Sequence, residues 1–229
     1  MLENLFVFDF DDTLAETESL IGVAREHAGK NDDLFREWLV QHGLFPINEK
    51  RTDSLTFFYI TSEDFAKYQK FAADDISENI VDHFDFSGTA SVDNATTKPN
   101  RQIVDILRRA EMAPKSRVII VTARSNNQFE SPFGNVEPTN RDDIAKFLQG
   151  VGSDVSGKQI FPVGSSDPSA KVAIIRKYID SLGPRRVYFY DDNNLNVDAV
   201  HDLCDVYGGV PSIVTYKIVN GKAVLNGKC

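Results

Sequence analysis

FVFDFDDTL, residues 6–14, decides the fold: an apolar, largely aromatic run that stops at an acid. With Asn4 and Leu5 it gives a short apolar segment over residues 4–8, ended by Asp9. Such a run, apolar without alternation, suits a strand buried on both faces, as in a parallel sheet. Two later stretches repeat the pattern. Residues 117–121 read RVIIV and stop at Thr122, and residues 186–190 read RVYFY and stop at Asp191. Each begins on a basic residue, turns β-branched or aromatic, and ends on a polar one.

Helical patterns lie between these strands. Pro99 suits a first helical position, and Ile103, Ile106, Leu107 and Ala110 then share one face. Thr139 or Asn140 can cap a helix through Ile144, Phe147 and Leu148 that Gly150 ends. Asp167-Pro168 starts another, lined by Val172, Ile175 and Ile179 and stopped by Gly183-Pro184; a further helix runs from Asn193 to Cys204. Strands alternating with helices predict an α/β fold, a Rossmann-like parallel sheet flanked by helices. The tail differs: Asn220-Gly221 between two apolar stretches predicts a C-terminal β-hairpin, because both turn positions favour φ > 0.

Residues 15–95 break the alternation. They hold helical candidates around 17–28, 32–42 and 63–84 and many aromatics, among them Phe35, Trp38, Phe57, Phe58, Tyr59, Phe65 and Tyr68. The segment is too long for a loop. It is expected to be a mostly helical cap inserted after the first strand, with its aromatics packed as core. The division is then 1–14 and 96–229 for the catalytic core and 15–95 for the cap.

Bulk properties narrow the partners. The chain has 229 residues, 41% hydrophobic and 26% charged, and a formal net charge of −9. That acidity argues against stable binding to nucleic acid, which needs a cationic face, but leaves a nucleotide or a nucleic-acid end as a substrate. No stretch approaches the ~20 apolar residues of a membrane span. The beginning, MLENLFVFDFDD, has no basic region and no cleavage site, so no signal peptide is expected there. Two cysteines, Cys204 and Cys229, make neither a disulfide framework nor a zinc spacing, which suits a reducing, cytoplasmic compartment.

In open α/β sheets, ligands bind beyond the carboxyl ends of the strands. The three strand ends bring together Asp9, Asp11 and Thr13, then Thr122, then Asp191 and Asp192, with Lys171 near the start of the preceding helix. A phosphate ester needs an in-line nucleophile, a metal to neutralise charge, and a proton for the leaving oxygen. Two carboxylates two residues apart can divide that labour, Asp9 attacking phosphorus and Asp11 handling the proton. Asp191 and Asp192 add hard oxygen ligands for Mg²⁺, or cap the following helix. The Thr122 hydroxyl and the Lys171 ammonium can hold phosphate oxygens. Arg124 can grip a second phosphate or a carboxylate of the substrate, or pair with an acid of the cap. A long loop, 125–138, sits where it can touch substrate. His27, His42, His83 and His201 show no ligand spacing.

These stretches are recognisable together. FVFDFDDTL resembles the first motif of the haloacid dehalogenase (HAD) superfamily, Asp-x-Asp-x-Thr after an apolar strand. VIIVTAR resembles the second, Lys171 fits the third, and VYFYDD fits the fourth, in the right order over nearly the whole chain. The resemblance implies Mg²⁺-dependent phosphomonoester hydrolysis through an aspartyl-phosphate on Asp9, with Asp11 as general acid/base and Thr122 and Lys171 as phosphate binders. It implies Mg²⁺ held by Asp9, the Asp11 carbonyl and Asp191, with Asp192 close by. Thr13, Ala123 and Arg124 complete the expected substrate-binding set. Asp12 stands where members often carry Gly, and Lys177 is a second choice for the third motif. The stretch from KPN at 98–100 through TAR, GSSDP and YFYDDNN is also similar to uncharacterised HAD-like hydrolases of phages and bacteria, which implies a host cytoplasm if the chain is phage-encoded. The expected substrate is a small phosphorylated metabolite, a nucleotide or a nucleic-acid end. The competing readings are a phosphotransferase on the same fold and a non-catalytic HAD-like binding protein.

Overall fold

The computed structural model describes residues 2–17, 19–26, 32–74 and 80–229. In chain order the first elements are β1 (Asn4–Phe8), β2 (Ala15–Glu16), β3 (Leu20–Glu26), α1 (Asp32–Gln41), β4 (Asn48–Arg51), β5 (Thr56–Thr61), α2 (Ser62–Asp74) and β6 (Val81–Asp85). Next come β7 (Lys98–Pro99), α3 (Arg101–Met112), β8 (Ser116–Thr122), β9 (Phe129–Ser131), β10 (Gly134–Val136), α4 (Asn140–Gly150) and β11 (Ile160–Pro162). The last are α5 (Pro168–Leu182), β12 (Arg186–Asp191), α6 (Asn194–His201), α7 (Leu203–Tyr207), β13 (Ser212–Val219) and β14 (Lys222–Lys228). They form two compact units, Met1–Thr17 with Val92–Asn127 and Pro138–Cys229, and Glu18–Ser91 with Gln128–Glu137.

The first unit is built on a six-stranded sheet in the order β11-β8-β1-β12-β13-β14. Every pairing is parallel except β13 with β14. The apolar runs are strands here because their side chains divide between two cores. Leu5 and Val7 of β1, Ile119 and Val121 of β8, and Val187 and Phe189 of β12 pack under α5, α6 and α7. Phe8, Val118, Ile120 and Tyr190 pack under α3 and α4 with Phe10. Period-2 alternation thus sends successive residues to opposite apolar layers, and no polar face remains to break the run. On the α3–α4 side the aromatics stack across neighbouring strands, Phe6 on Tyr188 at 4.8 Å, Phe8 on Tyr190 at 4.6 Å and Tyr190 on Tyr216 at 4.8 Å. The α/β architecture and the C-terminal hairpin are as read from the sequence. Asn220 and Gly221 turn that hairpin with φ of 49° and 72°.

The second unit corrects the expectation of a mostly helical insertion. It holds a four-stranded antiparallel sheet, β4-β5-β3-β6, as well as α1 and α2. Residues 20–26, within the helical candidate at 17–28, form a strand, and 81–85, at the end of the candidate at 63–84, form another. Residues 18, 27 and 28 of the first candidate and 75–79 of the last lie outside the described residues, as does His27. The signal was there in TFFYIT, residues 56–61, which is β-branched and aromatic throughout. Its aromatics are core: Phe35, Phe58, Phe65 and Tyr68 are buried with Ile21, Val23, Leu39 and Ile60. The Arg25 side chain packs among them, paired with Asp82 at 2.8 Å and lying 4.6 Å over the Trp38 ring. Part of the long loop also belongs to this unit, since β9 and β10 form a hairpin whose Phe133 meets Phe57 edge-on at 5.6 Å.

The cysteines correct a second expectation. Cys204 and Cys229 form a disulfide, with Cα atoms 6.0 Å apart. Their spacing in the sequence hides this. The antiparallel return of β14 carries Cys229 back to Ile213, whose carbonyl accepts its backbone N–H at 3.1 Å, beside the helix that bears Cys204. The argument from cysteine usage to a reducing compartment therefore falls away. Among the described residues, no helix is long and apolar enough to cross a membrane.

Candidate active site

The strand order reverses between β1 and β12, since the chain passes from β1 outward to β8 and β11 and then crosses to β12. The two strands run parallel with Phe8 opposite Tyr190. The next residue of each is an aspartate, and the Asp9 backbone N–H donates to the Tyr190 carbonyl at 2.9 Å. Register therefore puts Asp9 beside Asp191. Both continue the alternation of Leu5-Val7 and Val187-Phe189, and so belong to the side of the sheet covered by α5.

Helix α5 begins at a cap that the sequence supplies: Asp167 accepts from the Ser169 backbone N–H at 2.8 Å, and Pro168 follows at the first turn. One turn on, Lys171 is buried, and its Nζ donates to Asp9 at 2.6 Å and to Asp191 at 2.7 Å. Lys177 is exposed. Six residues at 100° each carry it about 240° round the helix, away from the sheet. Carboxylate oxygens of Asp9, Asp191 and Asp192 all lie within 4.8 Å of one another.

Asp191 is fully buried and held from the other side by α6. It accepts from the Asn193 backbone N–H at 2.9 Å and from Asn196 Nδ2 at 3.0 and 3.1 Å. Asn193 itself caps α6 through the Leu195 N–H. Burial, opposed by Lys171 but reinforced by Asp191, Asp192 and Asp11, holds Asp9 well above the usual carboxylate range. Burial, with the charges of Asp191 and Asp12, pushes Asp192 up to about 7. Burial would lower Lys171, but Asp9 and Asp191 outweigh it and its pKa is raised, so it stays an ammonium. Three crowded carboxyl groups, all hard oxygen donors, fit a divalent cation such as Mg²⁺.

Asp11 belongs to a different group of contacts. The chain turns sharply after Phe10, with Asp12 at φ 54°, the left-handed region that explains the frequent glycine of the resembling motif and that aspartate tolerates. Arg124 then forks onto Asp11, with Nε at 2.9 and 3.0 Å and Nη2 at 2.8 Å. Thr17 Oγ1 donates to Asp11 at 2.5 Å and Thr122 Oγ1 at 3.3 Å. Burial would raise Asp11, but the charge and hydrogen bonds of Arg124, with that of Thr17, outweigh it and lower its pKa. Arg124 is itself buried, and its Nη1 donates to Asn140 Oδ1 at 3.1 Å. The pairing acid expected for Arg124 in the cap is thus Asp11 of the first unit.

The structure places Asp9, Lys171 and Asp191 in direct contact, with Asp192 adjoining, and Asp11, Thr122 and Arg124 in a second contiguous set. It does not bring Thr13 into either set; that hydroxyl is buried and without a hydrogen-bond partner among the described residues. Ala123 is exposed beside Thr122. Thr17 and Asn140 were not anticipated. Asn140 stood out only as a possible helix cap, and nothing local shows that its side chain turns inward.

No family model and no curated protein matches the chain. Among solved structures, it is similar to the HAD domain of the effector protein Lem4 from Legionella pneumophila. The identity is 12%, the TM-score is 0.41, and the match covers 96% of this chain and 88% of that one. The likeness is too remote to assign a role to any residue.

Proposed function

We propose that this chain is a Mg²⁺-dependent phosphohydrolase acting on phosphate monoesters through an aspartyl-phosphate on Asp9. The observation that carries the reading is the meeting of Asp9, Asp191 and Asp192 with Lys171 at the point where the strand order reverses. Asp9, Asp191 and Asp192, with the Asp11 carbonyl, are the groups that would hold Mg²⁺. When bound, the cation would supply charge neutralisation at the phosphoryl oxygens and would favour the ionised form of Asp9.

An Asp9 carboxylate oxygen attacks phosphorus while Asp11, which must first take up a proton against the pull of Arg124, gives that proton to the ester oxygen as the P–O bond breaks. The products of this half are an alcohol and the aspartyl-phosphate. A water molecule then attacks phosphorus, Asp11 takes its proton, and phosphate leaves with Asp9 restored. Lys171 holds the Asp9 carboxylate in place and offers its ammonium to a phosphate oxygen. Thr122, within reach of Asp11, offers its hydroxyl to another. Asn196 and the Asn193 N–H keep the Asp191 carboxylate oriented.

The test is inorganic phosphate release from sugar phosphates, nucleotides and end-phosphorylated oligonucleotides, with Mg²⁺, with chelator, and with Asp9→Asn. Release that needs both Mg²⁺ and Asp9 supports the proposal, and the best substrate names the class. Mg²⁺ binding without release from any compound would favour the non-catalytic reading.

A further inference from the structure

Arg124 was expected to grip substrate, and its guanidinium is already engaged. Nε and Nη2 form a fork on the two oxygens of Asp11, at 2.8–3.0 Å, and Nη1 donates to Asn140. Asn140 is fully buried at the first turn of α4, and its Nδ2 donates to the Ser125 carbonyl at 2.7 Å, tying the relay back to the loop that follows Arg124. The backbone of Arg124 is pinned as well. Its N–H donates to Thr122 Oγ1 at 3.3 Å, and its carbonyl accepts from the Gly164 N–H at 2.9 Å.

A fork of this kind fixes the plane of a carboxylate, which one contact cannot do. We propose that Arg124, braced by Asn140, is a positioning residue that sets the orientation of the Asp11 carboxylate for its transfer of the leaving-group proton, and is not a contact to the substrate. The inference rests on the phosphohydrolase reading. It extends the site from the strand ends to the start of α4. A misplacement of about 1 Å in a reacting group costs on the order of 100-fold in rate, similar to the lower end of what a general acid contributes.

The experiment compares kcat/KM, which reports events up to departure of the leaving group, for two esters. One is p-nitrophenyl phosphate, whose leaving group needs little help from a proton. The other is glycerol phosphate, whose alkoxide must be protonated. Arg124→Ala and Arg124→Lys are expected to lose about 100-fold on glycerol phosphate and under about fivefold on the aryl ester, the pattern of Asp11→Asn. Asn140→Ala is expected to follow the same pattern at about a tenfold loss. An equal loss on both esters, or full activity in Arg124→Lys, overturns the proposal while leaving the phosphohydrolase intact. Wild-type inactivity on both sinks the phosphohydrolase reading instead. The fork is then judged by nuclear magnetic resonance. A slowly exchanging Arg124 Nε–H signal that moves in Asp11→Asn upholds it, and its absence overturns it.

Discussion

Replacing Lys171 by methionine keeps most of the side-chain volume and removes a buried positive charge from between two carboxylates. Nζ lies 2.6 Å from Asp9 and 2.7 Å from Asp191, and the side chains of all three are 6% exposed or less. Removing one partner of a buried ion pair costs about 3–5 kcal/mol, because the remaining charge is left uncompensated. For a chain of this length about 1 kcal/mol moves Tm by about 2–4 °C, so a fall of about 6–20 °C is expected in chelator near neutral pH. The loss limits itself, since an abandoned carboxylate can take up a proton. Asp9 is an acid whose folded pKa is already raised, so its ionisation costs stability as pH rises. Without Lys171 that pKa rises further, and each pH unit downward makes the proton about 1.4 kcal/mol cheaper. Between about pH 7.5 and about pH 5.5 the penalty should therefore shrink by roughly 2.7 kcal/mol for each proton taken up. Thermal unfolding of wild type, Lys171→Met and the exposed control Lys177→Met at both pH values, with chelator and with saturating Mg²⁺, reads this directly. The control should stay within about 0.5 kcal/mol of wild type, and Mg²⁺ should recover more in Lys171→Met than in wild type. A Lys171→Met protein that melts with wild type in chelator, or a loss indifferent to pH, would refute the counter-charge argument.

If Mg²⁺ binds as proposed, it must displace protons from Asp9 and Asp192, whose pKa values burial raises, that of Asp192 to about 7. Its affinity, measured by calorimetry, is expected to rise up to about tenfold per pH unit below that value and level off above it, with proton release on binding. Asn196→Ala removes two hydrogen bonds from Asp191. It should weaken Mg²⁺ binding by about 10–100-fold, with an unchanged circular dichroism spectrum. The Cys204–Cys229 disulfide closes a loop of separation 25. Its reduction, or Cys229→Ser, should cost about 3 kcal/mol, read as a lower Tm, and thiol titration should find no free thiol before reduction and two after.

Much of this molecule is local information. Each central strand stops at a polar residue that a sheet buried on both faces cannot carry further, so RVIIV and RVYFY announce both the strand and its functional end. Pro168, Gly183 and Asn220-Gly221 mark helix and hairpin limits because they restrict or free the backbone at single positions. The helix phase that buries Lys171 and exposes Lys177 follows from periodicity once one face is known to be apolar. What only the tertiary structure decided depends on residues far apart in the chain. Parallel register sets Asp9 beside Asp191, across 182 positions of sequence. Arg124 finds Asp11, |i−j| of 113, and Asn140 braces it from another element. The same distance hides the disulfide, whose partners meet only after β14 folds back on β13. The insertion misled for a related reason. Strand and helix compete closely in short aromatic and β-branched stretches, and pairing between β3, β5 and β6 settles a choice that no single stretch can make alone.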